Sequence, residues 1–289
     1  MTDDSLHGEA GPDRHEVRQA TLHIDVNQLR AIAGIGVRRA AAFLAIGLNS
    51  TQGPNLPSLA LNDRSMWRFF EEPAPEAVVR EAVDEFRNWV IGNALRELDA
   101  YFNHFLDGVW TAAQFAKLHG QRVKSDFTPR DISGNTNAAS KLSDVMQEVK
   151  GDASQAGRLR TLSNARNCLA HSAGIVTTRH ANDNGSLKIN WIGLEARLQQ
   201  GGEYVVIPPA IGPEGLRATD PTKEAQVVAV VVERVKIFKV GRPIVLEPAE
   251  LREICFFYQH LTEVVSNAFV TFLIDAGLAP PPAPAPAVG

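Results

Sequence analysis

The stretch Arg158-Leu-Arg-Thr-Leu-Ser-Asn-Ala-Arg166-Asn167-Cys-Leu-Ala-His171-Ser-Ala-Gly174 decides how this chain is read. Leu159, Leu162, Ala165 and Leu169 recur at spacings of three and four, the apolar face of a helix running from about Ser154 through Ala170. Gly174 suits a helix terminator, which puts His171 in the last turn. The carbonyl end of a helix is partly negative, so a protonated imidazole is favoured there. Asn167 and His171 are four residues apart and share a face. Arg166 and His171 are five apart, about 140° around a regular helix. A pocket needing both is easier to build where the helix bends, or where two copies of the motif meet.

Helical periodicity continues on both sides of this stretch. From Pro75, residues Val79, Val83, Phe86, Val90, Leu98, Phe102 and Phe105 form the stripe of a long amphipathic helix, with Arg80, Asp84, Arg87 and Glu97 opposite. A shorter helix is predicted over Ala138 to Val149. A last one begins at Pro248, where proline is tolerated in the first turn, and stops at Gly277. Between the motif and the last helix, Leu187, Ile189 and Trp191 alternate with Lys188 and Asn190, the period of a strand. Tyr204 to Ile207 and Val227 to Val240 are likewise rich in β-branched residues, so a small β insertion is expected over about 186–240. The predicted class is mainly α: a helical bundle with a minor β element between the motif helix and the C-terminal helix. Turn-forming residues at Thr51–Pro57 and Glu71–Pro75 set off an N-terminal helical segment, 21–72, from the main body, 75–276. Residues 1–20 are polar, and 278–289 form a Pro/Ala run; both read as disordered tails.

Composition narrows the function. Hydrophobic residues make up 44% of 289, enough for a sizeable core. Lys plus Arg total 29 against 33 acidic residues, a net charge of −4, so a broad nucleic-acid-coating face is excluded and any such contact must be local. Two cysteines, Cys168 and Cys255, make neither a disulfide framework nor a four-cysteine zinc site. Ala31–Leu48 and Ile254–Ile274 are apolar, but they carry Arg38-Arg39 and Gln259, His260 and Glu263 at mid-depth. They read as protein helices with no membrane role, and the expected location is the cytoplasm. Gly34-Ile-Gly36 has Arg39 where a dinucleotide loop needs its third glycine, and neither a phosphate loop nor a nucleophile elbow occurs. Cys168 and His171 lack further ligands at metal spacing, with His180 the nearest candidate, so neither a metal site nor a cofactor is expected. Glu81, Asp84 and Glu85 read as a solvated face, and His104 and His119 stand alone. Basic side chains near the motif, Arg158, Arg160 and Arg179, and the stretch Lys117–Lys124, are candidates for phosphate contacts. An aromatic series for stacking bases is not evident.

The string Leu162-Ser-x-x-Arg166-Asn167-x-x-x-His171-x-x-Gly174 resembles the Arg-polar-x-x-x-His signature of the HEPN superfamily (higher eukaryotes and prokaryotes nucleotide-binding). The resemblance extends to the long upstream helix over 76–118 and the closing helix over 248–276, so it covers roughly the span 75–276. Many HEPN proteins are dimeric, metal-independent endoribonucleases with two motifs facing one RNA strand. The resemblance therefore implies a homodimer with a composite site. In it, His171 would be general acid/base, Arg166 would hold the phosphate, and Asn167 would orient substrate or histidine. It implies a toxin or antiviral defence effector, with an antitoxin or defence-system protein as partner. The alternative is a non-catalytic HEPN-like module that binds a nucleotide or a partner protein; retention of both Arg166 and His171 favours the enzyme.

Overall fold

The computed structural model describes residues 23–50, 59–62, 65–67, 74–121, 128–130, 132, 137–207 and 225–280. The tail over 1–20, the break at 51–57, and Arg122 and Lys124 of the basic stretch lie outside them, as does most of the C-terminal Pro/Ala run. Helix α1 (Val26–Ser50) is followed by a short antiparallel hairpin, β1 (Leu59–Asn62) and β2 (Ser65–Trp67). Then come α2 (Glu76–Ala116), α3 (Ala138–Glu148) and α4 (Ala156–His171). A three-stranded sheet of β3 (Ser186–Gln200), β4 (Glu203–Val206) and β5 (Ala225–Lys239) precedes α5 (Pro248–Asp275). The chain is thus mainly α with a minor antiparallel β element, in the order β4-β3-β5.

Local chemistry sets the helix ends. The Asn137 side chain accepts the Ala139 amide at 2.9 Å and caps α3. Glu247 and Glu250 form a reciprocal capping box around Pro248 at the start of α5. At the end of α4 the chain reverses through Gly174, whose φ of +78° suits a residue without a Cβ, and its amide returns to the Cys168 carbonyl at 3.3 Å.

Helix α2 is the central element, buried from Val90 onward through Leu98, Phe102, Phe105 and Val109. Phe86, expected in the buried stripe, is instead 42% exposed. Burial along α2 begins four residues later, and Phe86 stacks on Trp89 at the surface. Helix α1 packs against α2 through a row of small residues, Ala33, Gly36, Ala40 and Gly47, with Leu44. A Cβ on Gly36 would lie 2.5 Å from the Tyr101 Cβ, and one on Gly47 2.7 Å from Val90, so the helices approach closely and run antiparallel. Ala33, Ala40 and Leu44 join the same core as α2 to α5. By length and composition α1 could also cross a membrane; in this fold it lies against α2, and Arg39 pairs with Glu97 at 2.6 Å.

The sheet joins the bundle from one side. All fifteen residues of β3 pair with β5, while β4 pairs with the last four of β3. Leu187, Ile189 and Trp191 are buried, and the Trp191 indole donates to Glu253 of α5 at 3.1 Å. Strand periodicity therefore marked the inner face correctly. Val227, Val231, Val235 and Ile237 alternate on β5 and remain more than half exposed.

Candidate functional site

Helix α4 lies antiparallel to α2. Contacts step from Asn88, whose side chain donates to the Ala173 carbonyl at 3.4 Å, through Gly92 against Leu169, to Asp99, which accepts from Ser163 at 3.2 Å. Asp99 is the organising residue. It is only 3% exposed and takes three donors: the Tyr258 hydroxyl from α5, the Ser163 hydroxyl, and the Arg166 guanidinium at 3.3 Å. Loss of water raises the Asp99 carboxyl above the usual aspartate range. The Tyr258 and Ser163 hydrogen bonds and the Arg166 charge oppose that shift without cancelling it. Burial, with the neighbouring carboxylate, likewise holds the Tyr258 phenol well above its ordinary range.

Arg166 is therefore fixed from two directions. Its Nη1 side meets Asp99, and its Nη2 donates to the Asn167 side chain at 2.8 Å. Its side chain keeps 30% of its surface in contact with solvent. A guanidinium with five donors retains capacity for a further anion in that arrangement. Asn167 is half-buried, and His171, in the last turn of α4, is exposed. α4 is a continuous helix through His171, so the angular divergence of Arg166 and His171 anticipated from spacing persists.

Around this end of α4 the other histidine and both cysteines are accounted for. His180 is buried, and its Nδ1 lies 3.0 Å from the Thr177 hydroxyl. Burial, then the nearby positive charges of Arg179 and His171, holds His180 below the usual histidine range. Cys168 is buried and its thiol is pushed up to about 11, as is that of Cys255. Glu81, Asp84 and Glu85 are exposed, as a solvated face requires. Among the described residues, no group of three or more His, Cys, Asp or Glu side chains has the arrangement to hold a metal ion.

The basic candidates separate. Arg160 is exposed on the same outward side of α4 as Asn167 and His171, and Arg179 is exposed beyond the helix end. Arg158 instead reaches across the sheet to Glu233 and donates to Gln155 at 2.9 Å. It lines an open polar cleft of about 550 Å³ with Thr161, Asn182, Asp183, Lys188 and Asn190. That cleft lies about 20 Å along α4 from His171 at 1.5 Å per residue. Lys117 is spent on Glu148 at 2.5 Å.

Asp99 was not among the residues singled out from sequence, yet a signal existed. It falls between Leu95 and Phe102 at spacings of four and three, so an acid occupies a position on the apolar stripe. Set against known protein families, curated proteins and solved structures, the chain matches none of them.

Proposed function

We propose that this chain is an HEPN-like, metal-independent endoribonuclease. One observation carries the reading: Arg166, held by the buried Asp99 and by Asn167, keeps part of its surface open on the helix that ends in the exposed His171. A fixed, permanently charged fork is suited to a phosphodiester, and an exposed imidazole is suited to moving protons near neutrality. In the reaction, a ribose 2′-hydroxyl loses its proton to a base and attacks the adjacent phosphorus. The bond from phosphorus to the 5′-oxygen breaks, and that oxygen takes up a proton. The products are a 2′,3′-cyclic phosphate and a 5′-hydroxyl. His171 serves proton transfer, Arg166 offsets charge on the non-bridging oxygens, and Asn167 fixes the guanidinium. RNA is the substrate because it carries the attacking hydroxyl.

The divergence of Arg166 and His171 on a regular helix favours a composite site in a homodimer, each phosphate meeting the arginine of one copy and the histidine of the other. By analogy with HEPN proteins, the biological role is that of a toxin or antiviral effector acting in the cytoplasm, restrained or triggered by a partner protein. The Arg166–Asp99 ion pair supports a second reading, in which Arg166 is structural and the fold is a non-catalytic module for a nucleotide or a protein. Cleavage of a mixed RNA pool in chelator separates the two. Wild type should leave cyclic phosphate ends, and His171→Ala should lower the rate by at least about 100-fold while keeping its helical circular dichroism. Equal cleavage by both proteins would remove His171 from the chemistry.

A further inference from the structure

Trp89 is 63% exposed, and Phe86 stacks on it with ring centroids 5.9 Å apart and planes 21° from parallel. The indole thus has an offset aromatic neighbour on one side, while most of its surface stays in solvent. Its place on α2 is set by its neighbours. Asn88, Gly92 and Asp99 form the row against α4, and Val90, Glu97 and Tyr101 form the row against α1. Trp89 and Arg96, seven residues apart, project between those rows onto the outer surface. The antiparallel register brings Arg96 level with Arg166, and Trp89 level with the turn just after His171. Trp89 and Arg96 are then about 10 Å apart along the helix. Arg96 is exposed, and so is Arg160 of α4. The surface between α2 and α4 thus carries Arg96 level with Arg166 and an aromatic ring at the His171 end, with the exposed acid Glu85 one turn beyond Trp89.

We propose that Trp89 is a stacking platform for a base of single-stranded RNA, seated beside the phosphate held at Arg166; this rests on the ribonuclease reading above. Stacking on an aromatic face is sequence-tolerant, and its pairing with a cationic track is how single strands are held without base-edge readout. Phe86 pre-organises the indole and so lowers the ordering cost of binding.

The test uses the full chain and a uridine dodecamer with 2′-O-methyl riboses, which cannot be cut because the attacking hydroxyl is blocked. A strand of equal length without bases serves as its comparison. The uridine strand should quench tryptophan emission of the wild type. Trp89→Phe should abolish the quench while keeping affinity within about twofold, because a phenyl ring still stacks. Trp89→Ala should weaken uridine-strand binding by about tenfold, to the level of the baseless strand on wild type. Arg166→Ala should weaken both strands alike. Unchanged uridine affinity in Trp89→Ala overturns the stacking platform and leaves the ribonuclease reading standing. Absence of binding by wild type overturns both. Conversion of a dimer to a monomer by Trp89→Ala, with RNA affinity intact, overturns it in favour of a contact between copies.

Discussion

The two ends of α4 carry the same kind of interaction with different consequences. At its start, Arg158 pairs with Glu233, whose side chain is 65% exposed, beside an open polar cleft. Toward its end, Arg166 pairs with Asp99, whose side chain is 4% exposed, and Asp99 is bonded in turn to Tyr258 and Ser163. Water reaches the acid at the first site, where Arg158 itself is only 19% exposed, and is excluded from the acid at the second. A pair whose acid is exposed contributes little because screening and side-chain entropy cancel most of its attraction. A buried acid is costly to leave half-satisfied, so every group around it is committed. What separates the two pairs is burial of the acid: Asp99 is committed to three donors inside the core, whereas Glu233 stays open to solvent.

The sharpest break in that contrast is Asp99→Ala. It leaves the Tyr258 hydroxyl without its acceptor inside the core and removes the anchor of Arg166. A loss of about 3 kcal/mol in unfolding free energy is expected by urea titration. RNA cleavage should fall with it even under conditions where the protein stays folded, since Asn167 alone does not hold the guanidinium in one orientation. A loss below about 1 kcal/mol would mean that the three helices α2, α4 and α5 are joined by their apolar contacts without help from this carboxyl.

A milder change tests which force dominates at Asp99. Its folded-state pKa is raised, chiefly by burial. Below the ordinary aspartate range both folded and unfolded chains hold the proton, and the favourable contribution of the group is fully present. As pH rises, the unfolded chain releases its proton first, and that contribution is lost through the folded-state pKa. Relative to Asp99→Asn, wild type should therefore gain stability on acidification from neutrality toward about pH 4. Superimposable profiles for the two proteins would mean that the Arg166 charge and the two hydroxyls cancel the effect of burial on the carboxyl.

What was legible in sequence follows the same division between local and distant causes. The end of α4 at His171, the strand period of Leu187, Ile189 and Trp191, and the buried Cys168 are set by neighbours within a few residues. The Asp99–Tyr258 bond joins residues 159 positions apart, and no periodicity announces such a pair. Asp99 was detectable only as an acid out of place on an apolar stripe. Phe86 failed in the opposite sense: an apolar residue on a helical pattern reads as core, but here α2 begins to be buried only at Val90. Turn-forming residues set α1 off as an N-terminal segment, and Gly36 and Gly47 are what let it reach Tyr101 and Val90. Arg158, Arg160 and Arg166 look alike in sequence; their partners come from β5, solvent and α2 respectively.

The smallest expected effect lies at the other end of α4. Arg158→Ala removes the contact to Glu233 and the hydrogen bond to Gln155, and should cost no more than about 1 kcal/mol in urea unfolding, diminishing as salt is added. Some of that cost is aliphatic packing of the arginine stem and will not respond to salt. Glu233→Ala isolates the charge, since it spares the stem. If the two variants are equally mild and both lose their effect in high salt, the pair is an ordinary surface interaction. Cleavage of RNA should then be unchanged in each, because Arg158 lies about 12 Å along the helix from Arg166 and about 20 Å from His171. A loss of cleavage in Arg158→Ala matched by none in Glu233→Ala would assign the arginine to substrate and extend the RNA track along the whole of α4.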